Sequence, residues 1–319
     1  MRTIHWTIAL SLFAAGCGTD GPAEMMMMEE EDDGLLPGFE VEEPLPGEEQ
    51  FRTPILQEFA PGEDVTLCTY LDYTVPEDFD VVHFRGFQSA QGHHAILYGA
   101  SEPMPVGTHV CGEADMYNTH FLGGAGDADG AGEFDLPHGI AFRVHTGTQL
   151  MIQTHWINFS DTPVKGQAAF NIRRQPPSAE IDPSDLFANV TTQIALQPGA
   201  GTARSVCQVE DPMRFFLLAG HAHEWGTHIT ITHEPAEGDP VVIYDESWSA
   251  EKVFNPTMLW YTKEQPFQME AGDRMVVDCT YDNTTSAPIY FPSEMCVAFG
   301  YYFPATKQLN CVDSVWPGP

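Results

Sequence analysis

Residues 219–231 read AGHAHEWGTHITI, and the fold turns on how this stretch is taken. On an extended chain, side chains at i and i+2 project to the same side, so His221 and His223 can share one ligand at the entrance to a β-branched run. A helical reading competes, because His223-Glu224 opens an HE pair. A zinc-protease helix needs its second histidine four residues after the first, and His228 lies five residues after His223. The helix fails on spacing. Two imidazoles on one side of a strand then suggest a metal ion.

The same texture runs outward in both directions. VTLCTYLDYTV (65–75), VVHFRGF (81–87), HAILYGA (94–100), IAFRVHTG (140–147) and LMIQTHWINF (150–159) precede it, and VVIYDESW (241–248), MVVDCTY (275–281) and MCVAFGYYF (295–303) follow. Short runs rich in β-branched and aromatic residues, broken by Gly, Pro, Asn and Asp, predict many strands in an all-β protein of sandwich type. The RRQPPSAE segment (173–180) reads as a boundary between two strand-rich parts, 51–176 and 177–319. The acidic GDADGAGEFD segment (126–135) lacks EF-hand spacing and the closing glutamate, so a flexible surface loop is expected there.

The N-terminus, MRTIHWTIALSLFAAGC, has one early cation, an apolar stretch from Ile8 to Ala15, and small residues before Cys17. That predicts a secretory signal over 1–17. Ala14-Ala15-Gly16-Cys17 resembles a bacterial lipobox, which would make Cys17 a lipidated N-terminus in the cell envelope. Gly18 after it points to the outer membrane. The apolar stretch is too short for a transmembrane helix, which needs about 20 residues. Residues 18–50 hold twelve acids and no Lys or Arg, with a run from Met25 to Met28, and read as a disordered acidic tether. The whole chain carries a formal charge of −33, which excludes phosphate backbones as partners. Membrane contact is expected only through the lipid on Cys17. Setting Cys17 aside, six cysteines remain (Cys68, Cys111, Cys207, Cys279, Cys296, Cys311), an even number suited to three disulfides in an oxidising compartment.

Each part contains one histidine cluster. The first offers His93-His94 and His155. Adjacent histidines on a regular strand face opposite ways, so the pair can share a metal only if the chain bends, or if the rings use different nitrogens. The Gln91-Gly92 step permits a bend. The second offers His221 and His223, with Met295 in the EMC sequence as a third donor. A thioether is soft and selects Cu(I), whereas three imidazoles also suit Cu(II).

The order HH (93–94), QTH (153–155), HAH (221–223), EMC (294–296) resembles that of the copper type II, ascorbate-dependent monooxygenase family. LPHGIAFRV (136–144), MVVDCTYDNTT (275–285) and SEMCVAFGYY (293–302) strengthen the likeness, which covers roughly 55–312. The resemblance implies two jelly-roll-like antiparallel β-sandwich domains facing a cleft, and two copper ions. It implies His93, His94 and His155 around an electron-transfer copper, with Gln153 near that site. It implies His221, His223 and Met295 around the copper that binds dioxygen and hydroxylates substrate. Ascorbate, or another small one-electron donor, would be the reductant, and the partners would be dioxygen and a small-molecule substrate. The bridges implied are Cys68–Cys111, Cys207–Cys311 and Cys279–Cys296. Where peptide-amidating members hold a substrate carboxylate, this chain has Ala219, Val297 and Phe299, so a glycine-extended peptide would lack its anchor and a neutral or hydrophobic substrate is expected. A non-catalytic envelope lipoprotein that binds or buffers copper is the alternative of a different class.

Overall fold

The computed structural model describes residues 34–100, 102–112, 115, 119–126, 131–253 and 256–316. The signal over 1–17, Cys17, the Met25–Met28 run and residues 18–33 of the acidic segment lie outside the described residues.

The strands expected from alternation form, and they assemble into two sandwiches that share a sheet. A five-stranded sheet runs in the order Gly107–Val110, Asp64–Thr74, Gln149–Ile157, Gly92–Ala100, Thr119–Ala125. A four-stranded sheet runs Gly199–Gln208, Arg274–Asn283, Gly226–Glu234, Val241–Ser247. Both pack on one eleven-stranded sheet, whose path continues from Phe79–Gln88 through Ile140–Val144 and Asp182–Val190 to Val297–Phe303 and Met213–His221. Pairing is antiparallel almost throughout. The exceptions are Asp182–Val190 against Ile140–Val144 and against Leu309–Val312, both parallel.

Two apolar cores follow from this layering. One lies between the four-stranded sheet and the C-terminal end of the long sheet, with Phe187, Phe215, Ile229, Ile231, Met275 and Val277 fully buried. The other lies between the five-stranded sheet and the N-terminal end, with Leu97, Leu150, Ile152, Phe142 and Phe170. Phe216, Leu217, Tyr301 and Phe303 of the C-terminal part belong to this second core. The strand pairing at 140–144 and 182–190 and these aromatic residues explain why residues 34–319 form one compact unit. Each buried large side chain stabilises this arrangement by about 1.5–3 kcal/mol.

Three bridges staple the sheets: Cys68–Cys111, Cys207–Cys311 and Cys279–Cys296. They point to an oxidising compartment. No helix among the described residues is long and apolar enough to cross a membrane.

Two composition-based expectations give way to the structure. Residues 34–50, read as part of a disordered tether, are docked. Glu48–Arg52 pairs with Ala168–Gln175, Gln167 bonds the backbone of Leu36 and Gly34, and Asn171 Nδ2 donates to the Glu42 carbonyl. The Glu48 carboxylate, fully buried, meets Arg85 at 2.6 Å. An acidic composition marks a spacer only when its charges stay solvated, and here a buried guanidinium takes them up. Residues 131–135, read as loop, form a strand against Phe79–Gln88; residues 127–130 lie outside the described residues.

Candidate metal centres

The first cluster is built by a defect in strand pairing. His94 pairs with His155, but Trp156 pairs with Gly92, leaving His93 as an extra residue in its strand. Gln91 just before it has φ 67°, in the left-handed region. An inserted residue bends a strand and re-aims its side chains, so neighbouring histidines can converge. They do: the ring centroids stand 4.7 Å apart for His93 and His155, 5.1 Å for His94 and His155 and 5.8 Å for His93 and His94. Among the described residues this is the only group of three His, Cys, Asp or Glu whose ligand atoms lie within 4.8 Å of one another.

The chemistry of the donors fits a transition-metal ion. Burial, reinforced by the His155 ring, pushes the His93 pKa down to about 4. Burial, His155 and His93 push that of His94 down to about 3. Both rings are therefore neutral at physiological pH, the ligating form. His93 Nδ1 and His155 Nδ1 lie 2.9 Å apart, a separation that two nitrogens about 2.0 Å from one ion can adopt. His155 Nε2 donates to the Asp64 carboxylate at 2.7 Å, which holds the proton on Nε2 and leaves the Nδ1 lone pair facing the cluster. Gln153 is buried and hydrogen-bonds the His94 ring. It lies beside the three histidines rather than at the second cluster.

A residue outside these sets ties the two strands together. Gln88 is almost fully buried, and its Nε2 donates to the carbonyls of His94 at 2.9 Å and His155 at 3.3 Å. Gly92 makes room for it, since a Cβ there would fall 2.2 Å from Gln88 Cδ.

In the second cluster the i, i+2 geometry holds. Ala222 is buried in the C-terminal core, while His221 and His223 flank it with ring centroids 5.0 Å apart at 86°. Burial, then the neighbouring His223, pushes the His221 pKa down to about 3. His223 Nδ1 sits 3.1 Å from the Ser293 carbonyl; a carbonyl only accepts, so the ring proton is on Nδ1 and Nε2 carries the lone pair. Met295 is partly buried, two residues before the strand Val297–Phe303, in which Val297 pairs with His221. The intervening Glu294 accepts backbone N–H bonds from His223, Trp225 and Met295. Burial raises its pKa, opposed by those bonds. The two clusters influence each other weakly: proximity of the His223 ring adds to the lowering at His93 and His94, and that of His94 to the lowering at His221.

Sequence reasoning named the three convergent histidines and the His221, His223 pair, and missed Gln88, Asp64 and Glu294. Their residue types are ordinary for strand ends and turns, and only burial distinguishes them. Six of the seven described histidines outside the two clusters pair with aspartates: His83 with Asp135, His109 with Asp115, His120 with Asp185, His145 with Asp78, His228 with Asp245 and His233 with Asp273. His138 is exposed.

Residues 186–318 match the family described as copper type II ascorbate-dependent monooxygenase, C-terminal domain. No curated protein matches the chain. Among solved structures, the major capsid protein P2 from bacteriophage PM2 is similar at 8% identity and a TM-score of 0.41, over 81% of this chain and 99% of that one. A triple jelly-roll protein of an archaeal virus is similar at 8% identity and a TM-score of 0.23, over 84% of this chain and 63% of that one.

Proposed function

With membership of the copper type II ascorbate-dependent monooxygenase family carried by residues 186–318, we propose that this protein is a copper-dependent monooxygenase acting through two separate mononuclear coppers. It hydroxylates a small organic substrate: one oxygen atom of dioxygen enters a C–H bond, and the other leaves as water with two electrons and two protons. His93, His94 and His155 hold the electron-transfer copper, and His221, His223 and Met295 the copper that meets dioxygen. Ascorbate or another small one-electron donor supplies the electrons from outside. Cys17 carries the lipid that holds the protein to the cell envelope.

Copper held by these residues would supply one-electron redox chemistry and a Lewis acid toward dioxygen. The chain's own residues supply the rest. Asp64 keeps the His155 proton on Nε2, and the Ser293 carbonyl keeps the His223 proton on Nδ1, so each ring presents one defined lone pair. Gln153 orients His94. A nitrogen-only set suits both oxidation states, while a thioether favours the reduced one, so the two centres divide electron storage from oxygen reduction. Beside His221 the sheet is apolar: Ala219 pairs with Phe299, His221 with Val297, and both Ala219 and Val297 are buried. That supports a neutral or hydrophobic substrate and argues against peptide amidation.

The observation that carries this reading is the convergence of His93, His94 and His155 through a strand bulge, in a chain whose other cluster lies in the matched family domain. Copper stoichiometry with spectroscopic ligand identification tests it: two unlike centres are expected, one with sulfur. Met295→His should retain metal and abolish turnover. Undiminished hydroxylation in that variant would refute the role given to Met295. Copper binding without reductant-dependent oxygen uptake would leave a copper-buffering lipoprotein.

A further inference from the structure

Asp80 and Glu294 have no exposed surface, and the Glu48 side chain, matched by Arg85, is likewise covered. Asp80 is matched by the Arg143 guanidinium at 2.8 Å. Among the described residues no lysine or arginine forms an ion pair with Glu294. Burying a carboxylate without a cation costs several kcal/mol unless hydrogen bonds replace its hydration. Here they come from one source, the backbone. Oε1 accepts from the N–H groups of His223 and Met295, and Oε2 accepts from Trp225 at 3.0 Å.

Because His223 and Met295 donate to the same oxygen atom, their backbone nitrogens lie no farther apart than two hydrogen-bond lengths, about 6 Å. The remaining freedom of the Met295 segment is removed from its other side. Tyr281 Oη donates to the Met295 carbonyl at 2.8 Å, and Cys296 is bridged to Cys279. The neighbouring Ser293 carbonyl takes the Nδ1 proton of His223. All three contacts meet at a loop of four residues, 293–296, and each acts on one of two residues, His223 or Met295, or on the residue next to it.

We propose that Glu294 is a positioning residue that presets the spacing between the thioether of Met295 and the imidazole of His223, acting on the bound metal through two backbone amides rather than as a ligand. The inference rests on the reading of His221, His223 and Met295 as copper ligands. It explains why an acid occupies a fully buried position beside two neutral donors. A carboxylate offers two oxygens and no donor, so it can accept all three N–H groups at once. A glutamine can accept through one oxygen only, and its NH2 would face the Trp225 N–H donor to donor.

The test uses the purified full chain loaded with Cu(I), the variants E294Q and E294A, and X-ray absorption to detect a sulfur scatterer at copper. Cu(I) affinity is measured by competition with a chelator, and the histidine-only centre serves as the internal control. Removing an outer partner of a metal ligand costs on the order of 10–100-fold in affinity. The expected result for E294A is loss of the sulfur signal and a fall of that size at the sulfur centre, with the His93, His94, His155 centre little changed, while the three N–H groups left without an acceptor lower the thermal midpoint of unfolding. E294Q should fold where E294A does not, and it should weaken Cu(I) binding at the sulfur centre by about 10-fold. Wild-type affinity and an undiminished sulfur signal in E294Q would overturn the proposal, as would the same result in a folded E294A. Absence of sulfur at copper in the wild-type protein would instead overturn the ligand assignment on which the proposal rests.

Discussion

Replacing Gly92 by alanine should damage the first metal centre without touching any of its ligands. The Cβ would lie 2.2 Å from Gln88 Cδ, 2.3 Å from Cγ and 2.6 Å from Nε2, against an ordinary contact of about 3.5–4 Å. Gly92 is outside the left-handed region, so the conflict is steric and not torsional. The Gln88 side chain must retreat by more than about 1 Å, and with 5% exposure it has little open space to enter. Its bonds to the His94 and His155 carbonyls would break, each worth about 1 kcal/mol net. Overpacking adds about 1–3 kcal/mol, so Gly92→Ala should cost about 3–5 kcal/mol. Gln88→Ala alone loses the two bonds and should cost about 2–3 kcal/mol. In the Gln88→Ala background the atoms struck by the new Cβ are gone. Gly92→Ala should then be neutral, or stabilise by about 0.5 kcal/mol through the unfolded chain. Urea unfolding followed by tryptophan fluorescence would measure all four corners of this cycle. Additive costs, within about 0.5 kcal/mol, would refute the argument that Gly92 exists to admit Gln88.

Three further outcomes follow from the same geometry. In the metal-free protein the folded-state pKa values of His93, His94 and His221 lie below the ordinary value of 6.5, at about 4, 3 and 3. The unfolded chain therefore binds protons first, and stability present above pH 6.5 should drain away as pH falls toward 4; a denaturation midpoint unchanged between pH 7 and 4.5 would contradict this. Opening the Cys279–Cys296 bridge with paired serines should cost about 3 kcal/mol for its sequence separation of 17 and reduce the sulfur signal at copper, read by unfolding and X-ray absorption. Arg85→Met should cost about 3–5 kcal/mol by leaving the buried Glu48 carboxylate without its guanidinium, and should expose residues 34–50 to limited proteolysis; protection equal to wild type would show that the segment is held by other contacts.

Much of the site was legible because its signals are local. The His221 and His223 pair needs only the two-residue period of a strand, and Ala222 turns into the core as that period requires. The two histidine clusters, the even cysteine count and the three bridges were readable by pattern and by resemblance. His93 and His94 show where local reading stops. Their adjacency forbids convergence on a regular strand, and the Gln91-Gly92 step only permits an exception. The exception is made by the register against Gln149–Ile157, a partner 62 residues away from His93 in the case of His155.

Composition misread residues 34–50 for a related reason. Glu42, Glu48 and Glu49 look like solvated charges until Arg85 and Arg174 are brought beside them by strand pairing. From the order of its residues alone, this chain is an all-β, disulfide-bonded protein with two histidine clusters, because periodicity, cysteine count and donor type are properties of short segments. Which nitrogen of His155 and of His223 is free, and which buried carboxylate joins His223 to Met295, were decided only by the folded chain. Those quantities depend on burial and on hydrogen bonds between residues about 60–90 positions apart, and no short segment encodes them.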